Sequence, residues 1–175
     1  GAEFLRASLD FRAGRYENAA AGFARAEAAA RAGNFPGRFC DAGHSAMATA
    51  FPFLKGLGPA PADRARVLIL GAGMFYPYQA SLETLRALKD ADVVFSNLAG
   101  SESMEFLRLF CDDVRTVSFE GREVERWVAK MLAPAAPGKT IAFITRGHPF
   151  LAGPLARTLQ VTAAAAGHEI VCLGA

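Results

Sequence analysis

The chain has 175 residues, 52% of them hydrophobic and 21% charged, with a formal net charge of +2. That length suits one domain, or one domain with an appendage, and so small a charge leaves no footprint for nucleic acid or a membrane surface. No run of 18 apolar residues and no basic start leading into an apolar core is present, which argues against a transmembrane span or a signal peptide. The three cysteines (Cys40, Cys111, Cys172) are far apart and odd in number, and His44, His148 and His168 are scattered. Neither a disulfide framework nor a zinc site is expected, and a reduced, cytoplasmic protein without a metal is the reading.

In chain order, residues 1–58 differ in composition from the rest. Gly1-Ala2-Glu3-Phe4 can be read as a cloning remnant. Leu5, Leu9 and Phe11 are placed on one face of a first helix, and Gly14-Arg15-Tyr16 makes a turn. Ala19, Ala20, Phe23, Ala26 and Ala30 then stripe a second helix at three- and four-residue steps. The spacing Gly14-x-Tyr16-x-x-Ala19-x-x-x-Phe23-x-x-Ala26 resembles the turn and second helix of a tetratricopeptide repeat. One copy cannot bury a repeat core alone, so a helical hairpin packed on a neighbouring domain is preferred to a peptide-binding array. Asn34-Phe35-Pro36-Gly37 breaks the chain, and a third helix is expected over residues 39–54. Gly56-Leu57-Gly58-Pro59-Ala60-Pro61 reads as linker, and the boundaries adopted are 1–58 helical, 59–65 linker and 66–175 α/β.

Beyond the linker, strands alternate with helices. Strands are expected at 66–70, 93–95, 114–119, 140–145 and 169–173. Helices are expected at 81–89, 102–110, 123–132 and about 151–166, with Gly167 as a left-handed cap. Leu82, Leu85 and Leu88 are assigned to the inner face of the first of these helices. Val124, Trp127, Val128 and Met131 are assigned to the core side of the third. Five strands with intervening helices predict an α/β fold: a mostly parallel five-stranded sheet covered by helices on both faces, preceded by an all-α segment.

Two strand ends carry chemistry. Gly71-Ala72-Gly73 follows the first strand. Arg146-Gly147-His148-Pro149-Phe150 follows the apolar fourth strand, where a Gly admits a ligand to the backbone and a Pro stiffens the turn. A dinucleotide fingerprint would place a third Gly where Tyr76 stands and an acid at the end of the second strand. Ser96-Asn97 ends it instead, which argues against hydride transfer. Gly138-Lys139-Thr140 precedes a strand rather than opening a helix, so it is not a P-loop.

Four segments then carry a resemblance: Val67-Leu68-Ile69-Leu70-Gly71-Ala72-Gly73, Leu85-x-x-Leu88-Lys89-x-Ala91-Asp92-Val93-Val94, Gly138-Lys139-x-Ile141-Ala142 and Gly147-His148-Pro149. In this order they resemble the N-terminal domain of the tetrapyrrole (corrin/porphyrin) methylase family of S-adenosylmethionine-dependent enzymes, over residues 66–175. The His in Gly-His-Pro, where corrin and porphyrin members usually have Asp, is more similar to the branch that methylates peptide backbones, the borosin-type N-methyltransferases. The resemblance implies S-adenosylmethionine as cofactor, bound in a cleft between two domains. Gly71, Gly73 and Met74 on the first loop and Arg146, Gly147, His148 and Leu151 on the fourth are its implied cofactor-binding residues. It also implies Tyr76 and Arg122 as catalytic candidates that orient an acceptor. The family's Gly-Pro-Gly-Asp-Pro is replaced here by Gly73-Met74-Phe75-Tyr76-Pro77, which alters the acceptor side. Its second domain would begin near Ala175, so the chain is expected to be one half of a longer enzyme.

The reading is therefore a methyltransferase acting on a peptide or a small molecule, with a homodimer or a protein partner engaged through the helical segment. Two alternatives stand beside it: a non-catalytic binding or assembly module that keeps the fold, and a corrin or porphyrin methyltransferase.

Overall fold

A computed structural model describes residues 2–33, 42–74, 79–98, 100–118, 123–151 and 153–174. The chain divides into two compact units, Gly1–Lys55 and Gly56–Ala175.

The first unit holds helices α1 (Ala2–Arg12), α2 (Tyr16–Ala32) and α3 (Ala42–Ala50), ended by a 3-10 turn at Phe51–Phe53. Gly14, with φ 76°, makes the expected turn between α1 and α2. The face of α1 differs from expectation. Phe4, Ala7 and Phe11 point inward, while Leu5 and Leu9 are each 62% exposed. The reason lies in the partner helix. A Cβ on Gly22 of α2 would come 2.8 Å from the Ala7 Cβ, so the small-residue pair sets the helices close and turns the Ala7 stripe inward. The Phe4 ring packs tilted against Phe23 at 5.3 Å, and Phe11 packs edge-on against Phe51 at 4.7 Å. Phe4 thus belongs to the core of this unit. Residues 39–41 of the expected third helix lie outside the described residues, and Pro52 ends its α-helical part.

The second unit contains β1 (Arg66–Gly71), α4 (Leu82–Lys89), β2 (Val93–Ser96), α5 (Ser101–Leu107), β3 (Val114–Thr116), α6 (Val124–Leu132), β4 (Thr140–Thr145), α7 (Pro154–Ala165) and β5 (Glu169–Leu173). The strands pair in parallel in the order β3-β2-β4-β1-β5. β1 and β4 are buried along their whole lengths, as continuous apolar runs in a parallel sheet should be. Alternation sorts the two faces. Val67, Ile69, Phe95, Ile141 and Phe143 pack with Val128 and Met131 of α6 and Leu155 and Leu159 of α7. Leu68, Leu70, Val94, Ala142 and Ile144 pack with Ala87 and Leu88 of α4 and Leu107 of α5.

One inward assignment is corrected. Leu82 is 60% exposed, and α4 buries Thr84 and Ala87 beside the expected Leu88. Ser81 caps this helix by accepting from the Thr84 amide at 3.1 Å, and the Thr84 hydroxyl donates to the Gly71 carbonyl at 3.1 Å. Those two bonds rotate Leu82 outward. Trp127 is half-buried at the rim of its core, with the Lys130 ammonium 4.3 Å from its ring centre.

The Gly/Pro-rich stretch is held on this unit. Arg66 donates to the Gly58 carbonyl at 2.7 Å and to Glu169 at 2.6 Å, Gly58 donates to Asp90 at 3.1 Å, and the Gly138 amide donates to the Pro61 carbonyl at 2.9 Å. At the same amino-terminal end of the sheet, Asp92 accepts from Lys139 Nζ and from the Thr140 amide, both at 2.8 Å. The Gly138-Lys139-Thr140 segment is thereby a structural turn. Burial pushes the Asp92 carboxyl up, but the Lys139 and Thr140 hydrogen bonds outweigh it and hold the pKa below its ordinary 3.8. A lowered carboxylate pKa stabilises the fold above the ordinary value, and that contribution is lost as pH falls through the folded value. Asp92→Ala is expected to remove about 1–2 kcal/mol at neutral pH, because the Thr140 amide loses its acceptor. Urea unfolding at a series of pH values should show the variant approaching the wild type below pH ~4.

Candidate functional site

The strand order makes the site. From β2 the chain passes outward to β3, and from β4 it passes the other way to β5, so the connections diverge between the carboxyl ends of β2 and β4. Such a divergence opens a crevice above the strand ends, where parallel sheets receive ligands. Beside it, β1 and β4 end together, with Gly71 opposite Thr145.

The loops after β1 and β4 are joined. Ala72 N–H donates to the Thr145 carbonyl and Gly147 N–H to the Gly73 carbonyl, both at 2.9 Å, and Gly73 and Gly147 form an isolated antiparallel bridge. Both glycines adopt left-handed backbone, φ 72° and 65°. A Cβ on Gly73 would meet the Gln79 Cβ at 2.5 Å, and one on Gly147 would meet the Met74 sulfur at 3.3 Å. Gln79 Oε1 accepts from the Met74 amide at 3.0 Å and closes the first loop on itself.

Around this bridge the expected residues gather. Gly71, Gly73, Met74, Gly147 and His148 are brought to one place, with Arg146 directly after β4 and exposed. Met74 is 62% and Leu151 86% exposed, an apolar rim at the strand ends. His148 Nδ1 accepts from the Phe150 amide at 3.3 Å, and the His148 carbonyl accepts from the Leu151 amide at 3.1 Å, so the loop is braced by its own backbone. With Nδ1 accepting, Nε2 is the ring's donor nitrogen. Gly174, past β5, packs closely on that ring: a Cβ there would lie 3.0 Å from His148 Cδ2. Tyr76 and Arg122 lie outside the described residues.

Sequence reasoning missed Asn97. It follows β2, its amide donates to the Ile144 carbonyl at 3.4 Å, and its carboxamide oxygen is buried without a hydrogen-bond partner among the described residues. It borders a small cavity of about 70 Å³ with Phe143, Thr145, Pro149, Gly153, Leu155 and Ala156. The Ser96-Asn97 pair counts, in sequence, only as a missing acid, and no periodicity reveals an unpaired oxygen. Among the described residues, no group of three or more His, Cys, Asp or Glu could hold a metal ion, and no helix is long and apolar enough to cross a membrane.

The family model described as Tetrapyrrole (Corrin/Porphyrin) Methylases matches residues 66–172. Among solved structures, uroporphyrin-III-C-methyltransferase from Thermus thermophilus is similar at 24% identity and a TM-score of 0.52, over 62% of this chain and 46% of that one. A conserved hypothetical protein from Aeropyrum pernix K1 is similar at 24% identity and a TM-score of 0.53, over 64% of this chain and 39% of that one. The chain thus spans less than half the length of either structure. Both likenesses concern the fold. A search of curated proteins returned no match.

Proposed function

The chain belongs to the tetrapyrrole (corrin/porphyrin) methylases, and on that premise we propose that it is the cofactor-binding half of an S-adenosylmethionine-dependent methyltransferase. Members of the family take their methyl group from S-adenosylmethionine, whose sulfonium supplies an electrophilic methyl carbon. The observation that carries the reading is the Gly73–Gly147 bridge at the ends of two adjacent central strands. It fixes the two loops edge to edge at the strand ends, where parallel α/β sheets receive ligands, with Gln79 and Met74 packed close against the two glycines.

Methyl transfer from a sulfonium asks mainly for alignment and exclusion of water, with proton removal where the acceptor is an amide or amine. The residues fit that demand. Gly71, Gly73, Gly147 and Arg146 frame the cofactor, while Met74 and Leu151 offer exposed apolar side chains that can cover it. His148 has Nδ1 engaged by the Phe150 amide and its other edge packed by Gly174, so its part is to shape the loop. The acceptor is a peptide or small molecule; the His148 that stands in place of the usual Asp favours the peptide-methylating branch over corrins and porphyrins. Tyr76 and Arg122 would orient that acceptor, and the helical unit would engage a second copy or a protein partner. Calorimetric titration with S-adenosylhomocysteine is expected to give binding in the micromolar range. Absence of heat would instead favour a non-catalytic module that keeps the fold.

A further inference from the structure

We propose that Gln79 is a positioning residue of the donor site: its carboxamide sets Met74, and through it the thioether that lies against Gly147. This rests on the methyl-donor reading above and assigns a residue that the reading does not use. The first loop is held from two sides. Towards β4, the Ala72 amide donates to the Thr145 carbonyl and the Gly73 carbonyl accepts from the Gly147 amide, both at 2.9 Å. Towards α4, the Gly71 carbonyl accepts from the Thr84 hydroxyl at 3.1 Å, and the Met74 amide donates to Gln79 Oε1 at 3.0 Å.

The two bonds towards α4 differ in kind. Thr84 is fully buried, so its hydroxyl belongs to the fold. Gln79 is exposed in the turn before α4, so its bond adds little to stability, and what it fixes is direction. Gly73 admits this clamp: a Cβ there would stand 2.5 Å from the Gln79 Cβ and 2.9 Å from the Gln79 carbonyl oxygen. Met74 is the residue just past the bridged Gly73, and its sulfur stands 3.3 Å from the Cβ position of Gly147, on the bridge itself. Met74 is otherwise 62% exposed, and a flexible, unbranched thioether keeps no fixed place unless its backbone is set. Without the Gln79 acceptor the Met74 amide turns to water, and the side chain leaves Gly147. Gln79 therefore acts on the donor through Met74, where alignment is the main demand of the chemistry.

The test is an amide-resolved NMR titration with S-adenosylhomocysteine, which also reads weak binding. Gln79→Leu is expected to bind about 3- to 10-fold more weakly, the range of one hydrogen bond, while melting within about 3 °C of the wild type. Gln79→Glu keeps an acceptor at the same reach and should restore affinity to within about twofold. In a Met74→Ala background, Gln79→Leu should cost less than about twofold more, because the side chain that Gln79 sets is gone. Gln79→Asn, a methylene too short to reach the Met74 amide, carries the test if the leucine variant does not fold. A leucine variant with wild-type affinity overturns the positioning role alone. So does a glutamate variant as weak as the leucine one, or a full loss in the Met74→Ala background. A wild type that gives no response to S-adenosylhomocysteine overturns the methyl-donor reading, and the positioning role with it.

Discussion

Gly147→Val is expected to abolish binding of S-adenosylhomocysteine, a loss of at least about 100-fold, while leaving the α/β unit folded. At φ 65° a β-branched residue is strained, and its Cβ alone would crowd the Met74 sulfur at 3.3 Å. The further methyls would press on Met74 and displace the first loop, and relieving the strain would break the 2.9 Å bond from Gly147 to the Gly73 carbonyl. The damage stays local because the core strands on either side are buried and unaltered. Backbone strain of about 1–2 kcal/mol should lower the melting temperature by only about 2–8 °C. Calorimetry beside a circular-dichroism melt separates the two effects. Unchanged affinity would remove the loop from the binding site, whereas global unfolding would make Gly147 a structural residue first.

The largest effect on stability is expected from Phe143→Ala, about 3–5 kcal/mol. Phe143 is buried in β4, between β2 and β1, and packs in the cluster formed with α6 and α7. Single domains are stable by only about 5–15 kcal/mol, so this loss alone brings the unit near its threshold. Leu82→Ala should change stability by less than about 0.5 kcal/mol, since Leu82 already faces solvent. Urea denaturation of both variants tests the contrast. Equal losses would mean that Leu82 is covered in solution.

The two residues look alike in the sequence, as large apolar side chains in regular elements, and the contrast marks what could be read there. Strands survive such reading well. A buried parallel strand is apolar on both faces, so the position of β4 did not depend on knowing which side chain faced where. Helix faces survive less well, because a helix has several candidate stripes and its partner selects among them. Gly22 selected the Ala7 stripe of α1 over Leu5 and Leu9, and the Ser81 cap with the Thr84–Gly71 bond turned Leu82 outward. Of the segments that carry the family resemblance, Asp92 and Lys139 are paired with each other at the amino-terminal end of the sheet, opposite the site. Their role is to set the starts of β2 and β4 side by side.

The two glycine loops were legible because left-handed backbone and close approach restrict residue choice locally, within a few positions of each glycine. Their meeting was not. Gly73 and Gly147 are far apart in the chain, and only insertion of β4 beside β1 brings their amide and carbonyl to 2.9 Å. The same insertion sets Asn97 beside Thr145 and the start of α7. By itself, then, the sequence determined the number and kind of the elements, the parallel sheet and the family, since these follow from local periodicity and turn chemistry. The tertiary structure decided which helix faces are buried, which loops touch, and which buried oxygen stands unpaired, because each depends on side chains supplied by distant parts of the chain.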